Sequence, residues 1–179
     1  MTEPEGTTEP EGMTDPMTPL TRTHTWLPPL PPESLAGFSG EQLLREILEG
    51  RVPPPPIAST LGIELLEVGP GEVEFEGESG GHLLNGYGML FGGYLASLLD
   101  CALGSAVLTL LPAGTGQTTV QMNVNIVRPA HSGTGPLRCV GRALHVGRSI
   151  ATSEATVTGA GDGKLYAHGT TTCAVVGRG

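Results

Sequence analysis

One stretch constrains this chain more than any other: LFGGYLASLLDCALGSAVLTLLP, residues 90–112, apolar or small throughout except for Asp100. A run of that length without an internal proline reads as one long helix opened by the pair Gly92-Gly93. A helix that is apolar nearly all round has to be enclosed by the rest of its domain. On this reading Asp100 is a buried acid. An unpaired charge in an apolar medium is expensive, so the carboxyl must be neutralised, paired or kept for chemistry.

What encloses the helix follows from the periodicity on either side. Ser39 with Gln42 three residues on is a capping-box pattern, and Phe38 can staple to Leu43 across it. The spacing therefore predicts a helix from Ser39 to about Gly50, with Leu43, Leu44, Ile47 and Leu48 on one face. Pro53 to Pro56 end it and enforce an extended segment. The period then becomes two. Ile63 and Leu65 lead into the turn Gly69-Pro70-Gly71, after which Val73 and Phe75 alternate with Glu72, Glu74 and Glu76, a hairpin with one solvated face. Beyond the long helix, Val120, Met122, Val124 and Ile126 alternate with polar residues. Arg138 to Val146 and Ile150 to Val157 join through Gly147-Arg148, and Leu165 to Val176 follows the turn Asp162-Gly163. The order is helix, two strands, long helix, four strands. Strands that do not alternate with helices exclude a parallel α/β fold. The class is α+β: a curved antiparallel sheet wrapped around one long central helix, with an extra N-terminal helix.

The opening, MTEPEGTTEPEGMTDPMTP, is a degenerate repeat with too little apolar surface to offset the entropy of ordering. We divide the chain into a disordered acidic tail, residues 1–38, and one domain, residues 39–179. The net charge of -9 divides the same way. The tail carries Glu3, Glu5, Glu9, Glu11, Asp15 and Glu33 against Arg22. Residues 101–179 carry Arg128, Arg138, Arg142, Arg148, Lys164 and Arg178 against Glu154 and Asp162, so that half is basic and could meet an anion. Cys101, Cys139 and Cys173 suit neither a disulfide framework nor a zinc cluster and read as reduced core thiols. Without a signal core or an uninterrupted apolar span, a soluble cytoplasmic protein is expected.

The loop GGHLLNGYGMLFGG ends where the long helix starts. Its glycines permit close backbone approach, and free N–H groups at a helix N-terminus favour negative charge. Such a place can hold an oxyanion, and a thioester carbonyl becomes one when attacked. Asp100 supplies a proton acceptor or a nucleophile. Gly92 and Asp100 lie eight residues apart on one helix, about 12 Å at the helical rise, too far to serve one carbonyl. Two helices running antiparallel across a two-fold axis would bring the N-terminus of one to the acid of the other, giving two composite sites per dimer.

From about Gly40 to Val176 the chain resembles the PaaI-type acyl-CoA thioesterases of the hotdog superfamily, in the phrases VPPPPIASTLGI, NGYGMLFGGYLASLLDCALGSAV, TTVQMNVNIVRPA, HVGRSIATSEATV and DGKLYAHGT. The resemblance implies hydrolysis of an acyl-CoA to free acid and CoA without a cofactor. It implies that Asp100 activates water or attacks the thioester, that Gly92 gives its N–H to the thioester oxygen, that Asn85 positions the thioester or the water, and that Thr119 assists the acid. Phe91 and Gly93 would border the substrate, and Gly147, Arg148 and Ser149 would run along the pantetheine and phosphates of CoA. Many relatives have His-Gly-Gly where this chain has Phe91-Gly92-Gly93, so a role of that histidine is missing while the backbone donor is kept.

Blander readings stand beside these. Asp100 could be a capped structural acid, Asn85 could hold only its own loop, Thr119 is ordinary on a strand, and Arg148 in a turn could be only a solvated charge. His82, His131, His145 and His168 show no metal spacing, so no metal is implied. The competing functions are a hotdog hydratase or dehydratase, disfavoured by Phe91 where a histidine would serve, and a non-catalytic acyl-CoA sensor. No helix-turn-helix or other nucleic-acid element is legible, and neither a nucleic acid nor a membrane is expected as partner. A homodimer assembling into a homotetramer is expected, with dimer against tetramer left open. Tyr87, Met89, Leu90, Phe91 and Tyr94 point to an apolar acyl pocket, for aromatic and aliphatic chains alike.

Overall fold

The computed structural model describes residues 18–177, so the acidic repeat over residues 1–17 lies outside the described residues. Six strands are present: β1 Ile63–Gly69, β2 Glu72–Gly77, β3 Thr115–Ile126, β4 Leu137–Val146, β5 Ile150–Gly159 and β6 Leu165–Gly177. They form one sheet in the order β1-β2-β4-β5-β6-β3, and every pairing is antiparallel. A long helix, α4 (Gly92–Leu108), packs against β2 to β6. This is the hotdog arrangement, as the pattern of one apolar run among alternating strands predicts. Leu98, Leu99, Ala102, Leu103 and Ala106 of α4 are fully buried against the sheet. Each such leucine contributes about 1.5–3 kcal/mol of burial. At Gly141 of β4 a Cβ would run into the carbonyl of Ala102, so strand and helix touch backbone to backbone there.

Before the sheet come α1 (Pro32–Leu35), α2 (Gly40–Leu48) and α3 (Pro56–Leu61). The capping box at α2 is complete. Gln42 N–H donates to Ser39 Oγ at 3.2 Å, and Ser39 N–H donates to Gln42 Oε1 at 2.9 Å. Leu43 and Leu44 are the buried residues of its apolar face. The prolines after α2 do more than extend the chain. Pro56 begins α3, because the first helical position needs no N–H donor and a fixed φ suits it. Within residues 18–38, which the sequence assigns to the tail, α1 is a single helical turn and Arg22 reaches Glu78 and His82.

The expectation of a helix enclosed on all sides is corrected. Gly93 and Asp100 are exposed, and Ala96, Ser97, Cys101 and Ser105 are half-buried. Spacings of three to five residues align them as one stripe along α4. The hairpin β1–β2 ends the sheet on one side and β3 ends it on the other, and the stripe faces the gap between them. The pattern hid this because the stripe is built of small residues, which read as apolar while burying little. On β3 itself Val120 is 58% and Ile126 48% exposed, since this strand pairs with β6 alone and is an open edge.

Candidate active site

Asp100 sits in the middle of the open stripe, so it is not the buried acid that the run of apolar neighbours implies. Its partner comes from the open edge. Thr119 Oγ1 donates to Asp100 Oδ1 at 2.9 Å. A register shift between Thr119 and Gln121, where β3 pairs with β6, falls beside this contact, and such irregularities re-aim side chains. Gln117, two residues before Thr119, shares its strand face. It lies against Gly104, one helical turn beyond Asp100; a Cβ at Gly104 would stand 2.5 Å from Gln117 Nε2. Gln117 Oε1 is buried without a hydrogen-bond partner. Burial, with a smaller contribution from the Asp100 charge beside it, pushes the Cys101 thiol up to about 11.

The glycine loop forms a second group at the other end of the stripe. Asn85 Oδ1 accepts from Tyr87 N–H at 2.8 Å and from Met89 N–H at 3.2 Å, and Asn85 N–H donates to Met89 O at 2.7 Å. Its side-chain oxygen thus holds its own loop, and what it has left to offer is its NH2 group. Phe91 is the N-cap of α4 and provides no side-chain cap. The first helical N–H groups to find an acceptor are those of Tyr94 and Leu95, both on Phe91 O. The N–H groups of Gly92 and Gly93 have no partner among the described residues. They form the positive end of a 17-residue helix. Of the proposed acyl-pocket residues, Leu90 and Tyr94 belong to the core while Tyr87 and Phe91 lie 87% and 59% exposed on the surface.

Gly147, Arg148 and Ser149 form a third group, the β4–β5 turn. Gly147 N–H donates to Ile150 O and Ser149 O accepts from Val175 N–H, both at 2.9 Å. The basic half of the chain is narrower than its charge count: Arg138 pairs with Glu74 and Glu76, and Arg142 with Glu72. Those glutamates therefore form cross-strand pairs on the solvated face of β2. Arg148 is exposed and makes no ion pair or hydrogen bond among the described residues. The chain thus brings Asp100 and Thr119 together, while the glycine loop stands at the other end of α4 and Ser149 of the Arg148 turn accepts from Val175 of β6, which pairs with Gln117 of β3.

A cavity of about 1070 Å³ opens beside Asp100. Along α4 it follows Cys101, Gly104, Ser105 and Leu108, and Gln117 lines it from β3. Opposite stand Ile47 and Leu48 of α2 and Ile57 of α3, and the segment from Arg22 to Leu30 crosses it. The sequence reading missed Gln117 and this far wall. Gln117 was within reach of the rule that strand residues two apart share a face with Thr119. The wall was not, because it joins segments far apart in the chain.

The sequence profile of the Thioesterase superfamily matches residues 87–166, which hold Asp100, Thr119 and the Arg148 turn. A phenylacetic acid degradation-related protein from Ralstonia eutropha JMP134, itself assigned as a thioesterase, is 31% identical; the alignment covers 73% of this chain and 97% of that one, with a TM-score of 0.67. The chain belongs to the thioesterase superfamily. The structure of smu.793 from Streptococcus mutans UA159 bound to acetyl CoA is 28% identical over 64% of this chain and 89% of that one, at a TM-score of 0.58. The PaaI protein of E. coli, from the phenylacetic acid degradation operon, shares the fold at 20% identity, 79% and 96% coverage and a TM-score of 0.67. No functionally curated protein matches the sequence. For a thioesterase-superfamily member the separation along α4 is the feature to explain, since eight residues leave acid and helix N-terminus about 12 Å apart within the chain.

Proposed function

We propose that this chain hydrolyses acyl-CoA thioesters at composite sites between two copies, each site joining Asp100 of one copy to the α4 N-terminus of the other. The observation that carries this reading is Asp100 itself: the one charged residue of α4, exposed on its open stripe, hydrogen-bonded by Thr119, and opening onto a large cavity. The open edge of β3, with Val120 and Ile126 exposed on it, supports a second copy alongside. A two-fold axis there would set the stripe of each α4 against its mate.

In this mechanism Thr119 fixes one oxygen of Asp100 and leaves the other for the reaction. The carboxylate either takes a proton from water as that water attacks the thioester carbonyl, or attacks the carbonyl directly and forms an anhydride that water then opens. In both routes the C–S bond breaks, the thiolate leaves and takes up a proton, and the acid is released. The partner's uncapped Gly92 N–H faces the carbonyl oxygen, where a preorganised donor is worth about 10²–10³ in rate. Arg148, exposed and unpaired among the described residues, supports a contact with a CoA phosphate in this reading. The acetyl CoA bound by the Streptococcus mutans relative supports a pantetheine thioester as substrate class. The test is thiol release from a panel of acyl-CoAs by the wild type and by Asp100→Asn. Loss of turnover in a folded variant is expected, and undiminished release would overturn the assignment of Asp100.

A further inference from the structure

Resting on the hydrolase reading, we propose that the cavity beside Asp100 receives the acyl chain, and that it selects a medium-length aliphatic chain carrying a hydroxyl at its third or fourth carbon, read by Gln117. The length comes from α4. The lining stripe runs from Asp100 to Leu108, about 12 Å at the helical rise. An extended alkyl chain advances roughly 1.25 Å per carbon, from a 1.5 Å bond at a near-tetrahedral angle, so about eight to ten carbons fill the stripe, about eight where the carbonyl starts roughly 3 Å in from the acid. The lining is mostly aliphatic, with Phe75 and the His24 imidazole its aromatic rings and Ser59, Glu64, Glu76 and Ser105 among its polar groups, so an alkyl chain meets more matching surface there than an aryl group does. Its volume of about 1070 Å³ is far beyond the needs of an acetyl group. The charged side chains on the lining that join the Arg22 segment, Arg22 and Glu78, remain 31% and 36% exposed and mark the solvent rim.

The hydroxyl follows from Gln117. Gln117 lines the cavity beside Cys101, Gly104 and Ser105, and its Oε1, closed to solvent, has no partner among the described residues; rotation of the amide would turn it to a ligand. Leaving a buried amide oxygen unpaired is costly, and a ligand that satisfies it recovers that cost. Gly104, against which Gln117 lies, is four residues past Asp100, about 6 Å along the helix. A carbonyl carbon poised roughly 3 Å from the acid puts carbons three and four of the chain at that level. A hydroxyl there can both donate and accept, so it suits either end of the amide.

The experiment measures kcat/KM for CoA thioesters of straight chains from six to sixteen carbons, together with phenylacetyl-CoA and 3- and 4-hydroxydecanoyl-CoA. The expected result is a rise of about fourfold per methylene up to roughly eight to ten carbons, and a preference for one hydroxydecanoyl ester over decanoyl of about tenfold or more. Gln117→Leu should bring that ratio to about one, and Leu108→Phe, at the end of the stripe, should move the optimum to a shorter chain. Calorimetric binding of the free acids, decanoate against the two hydroxydecanoates, reads the cavity without turnover. Hydrolysis with neither length nor hydroxyl preference in the wild type overturns this inference and leaves the hydrolase reading intact. Hydroxy-acid binding with the same preference but no thiol release from any ester does the reverse.

Discussion

The two faces of α4 are made of the same backbone and differ in what they meet. The closed face, Leu95, Leu98, Leu99, Ala102, Leu103 and Ala106, is buried against the sheet. The open face, Gly93, Ser97, Asp100, Cys101 and Ser105, faces the gap between the sheet's two ends. The closed face supplies the apolar burial that holds the fold. The open face buries little and so contributes little to stability, and it presents the one acid of α4 among small neighbours. A helix dividing these duties lets the site vary without disturbing the core, and the division can be tested by substituting neighbouring residues, one from each face.

Asp100→Asn should give the largest effect. If the carboxylate is the base or nucleophile, kcat/KM falls about 10²–10⁴-fold, while the melting temperature stays within a degree or two because the exposed side chain is isosteric. Leu99→Ala, one residue away on the closed face, should show the converse: a stability loss of about 2–5 kcal/mol, seen as a lower denaturant midpoint, with near-normal turnover in the fraction that remains folded. If the two variants lost stability alike, the division of duties between the faces would fail.

Thr119→Val removes the hydroxyl that donates to Asp100 Oδ1 at 2.9 Å and keeps the β-branched shape. The strand is an exposed edge, so stability should hardly move. kcat should fall about tenfold, the size of one hydrogen bond to a charged group, with KM little changed. Thr119→Ser should restore most of it. A structural role alone would show itself as a stability loss, with no rescue of kcat by serine.

How much of this was legible beforehand differs between the two faces. The closed face announced itself through Leu95, Leu98, Leu99 and Leu103, and the strands through their alternation, so the wrapped sheet followed from pattern alone. The pairing of Thr119 with Asp100 came from resemblance, and no spacing rule could supply it, because a contact 19 residues apart depends on how β3 closes the sheet. Gln117 and the wall formed by α2, α3 and the Arg22 segment were invisible for the same reason. The burial of Asp100 was misjudged because glycine, alanine and serine count as core-compatible in composition whether or not anything covers them. Arg138 and Arg142 looked available to an anion until the β2–β4 register set them beside Glu72, Glu74 and Glu76.

The cysteines give the finest test of the comparison, because one lies on each kind of surface. Cys101 is on the open face and half-buried, whereas Cys139 on β4 is fully buried. Burial raises both thiols, Cys101 to about 11 and Cys139 further. At pH 8 both are therefore protonated, and iodoacetamide should modify the native protein slowly, reaching Cys101 first and Cys139 only after unfolding. The linkage has a definite sign. A thiol whose folded pKa lies above its unfolded value of 9.0 favours the folded state fully below pH 9, and that contribution declines as pH climbs toward about 11. Denaturant midpoints should accordingly drop between pH 9 and 11, and Cys101→Ala should flatten part of that slope. A midpoint insensitive to pH across that window would mean that the open face is wetter than its neighbours make it, and that Cys101 already sees bulk water in the absence of a partner.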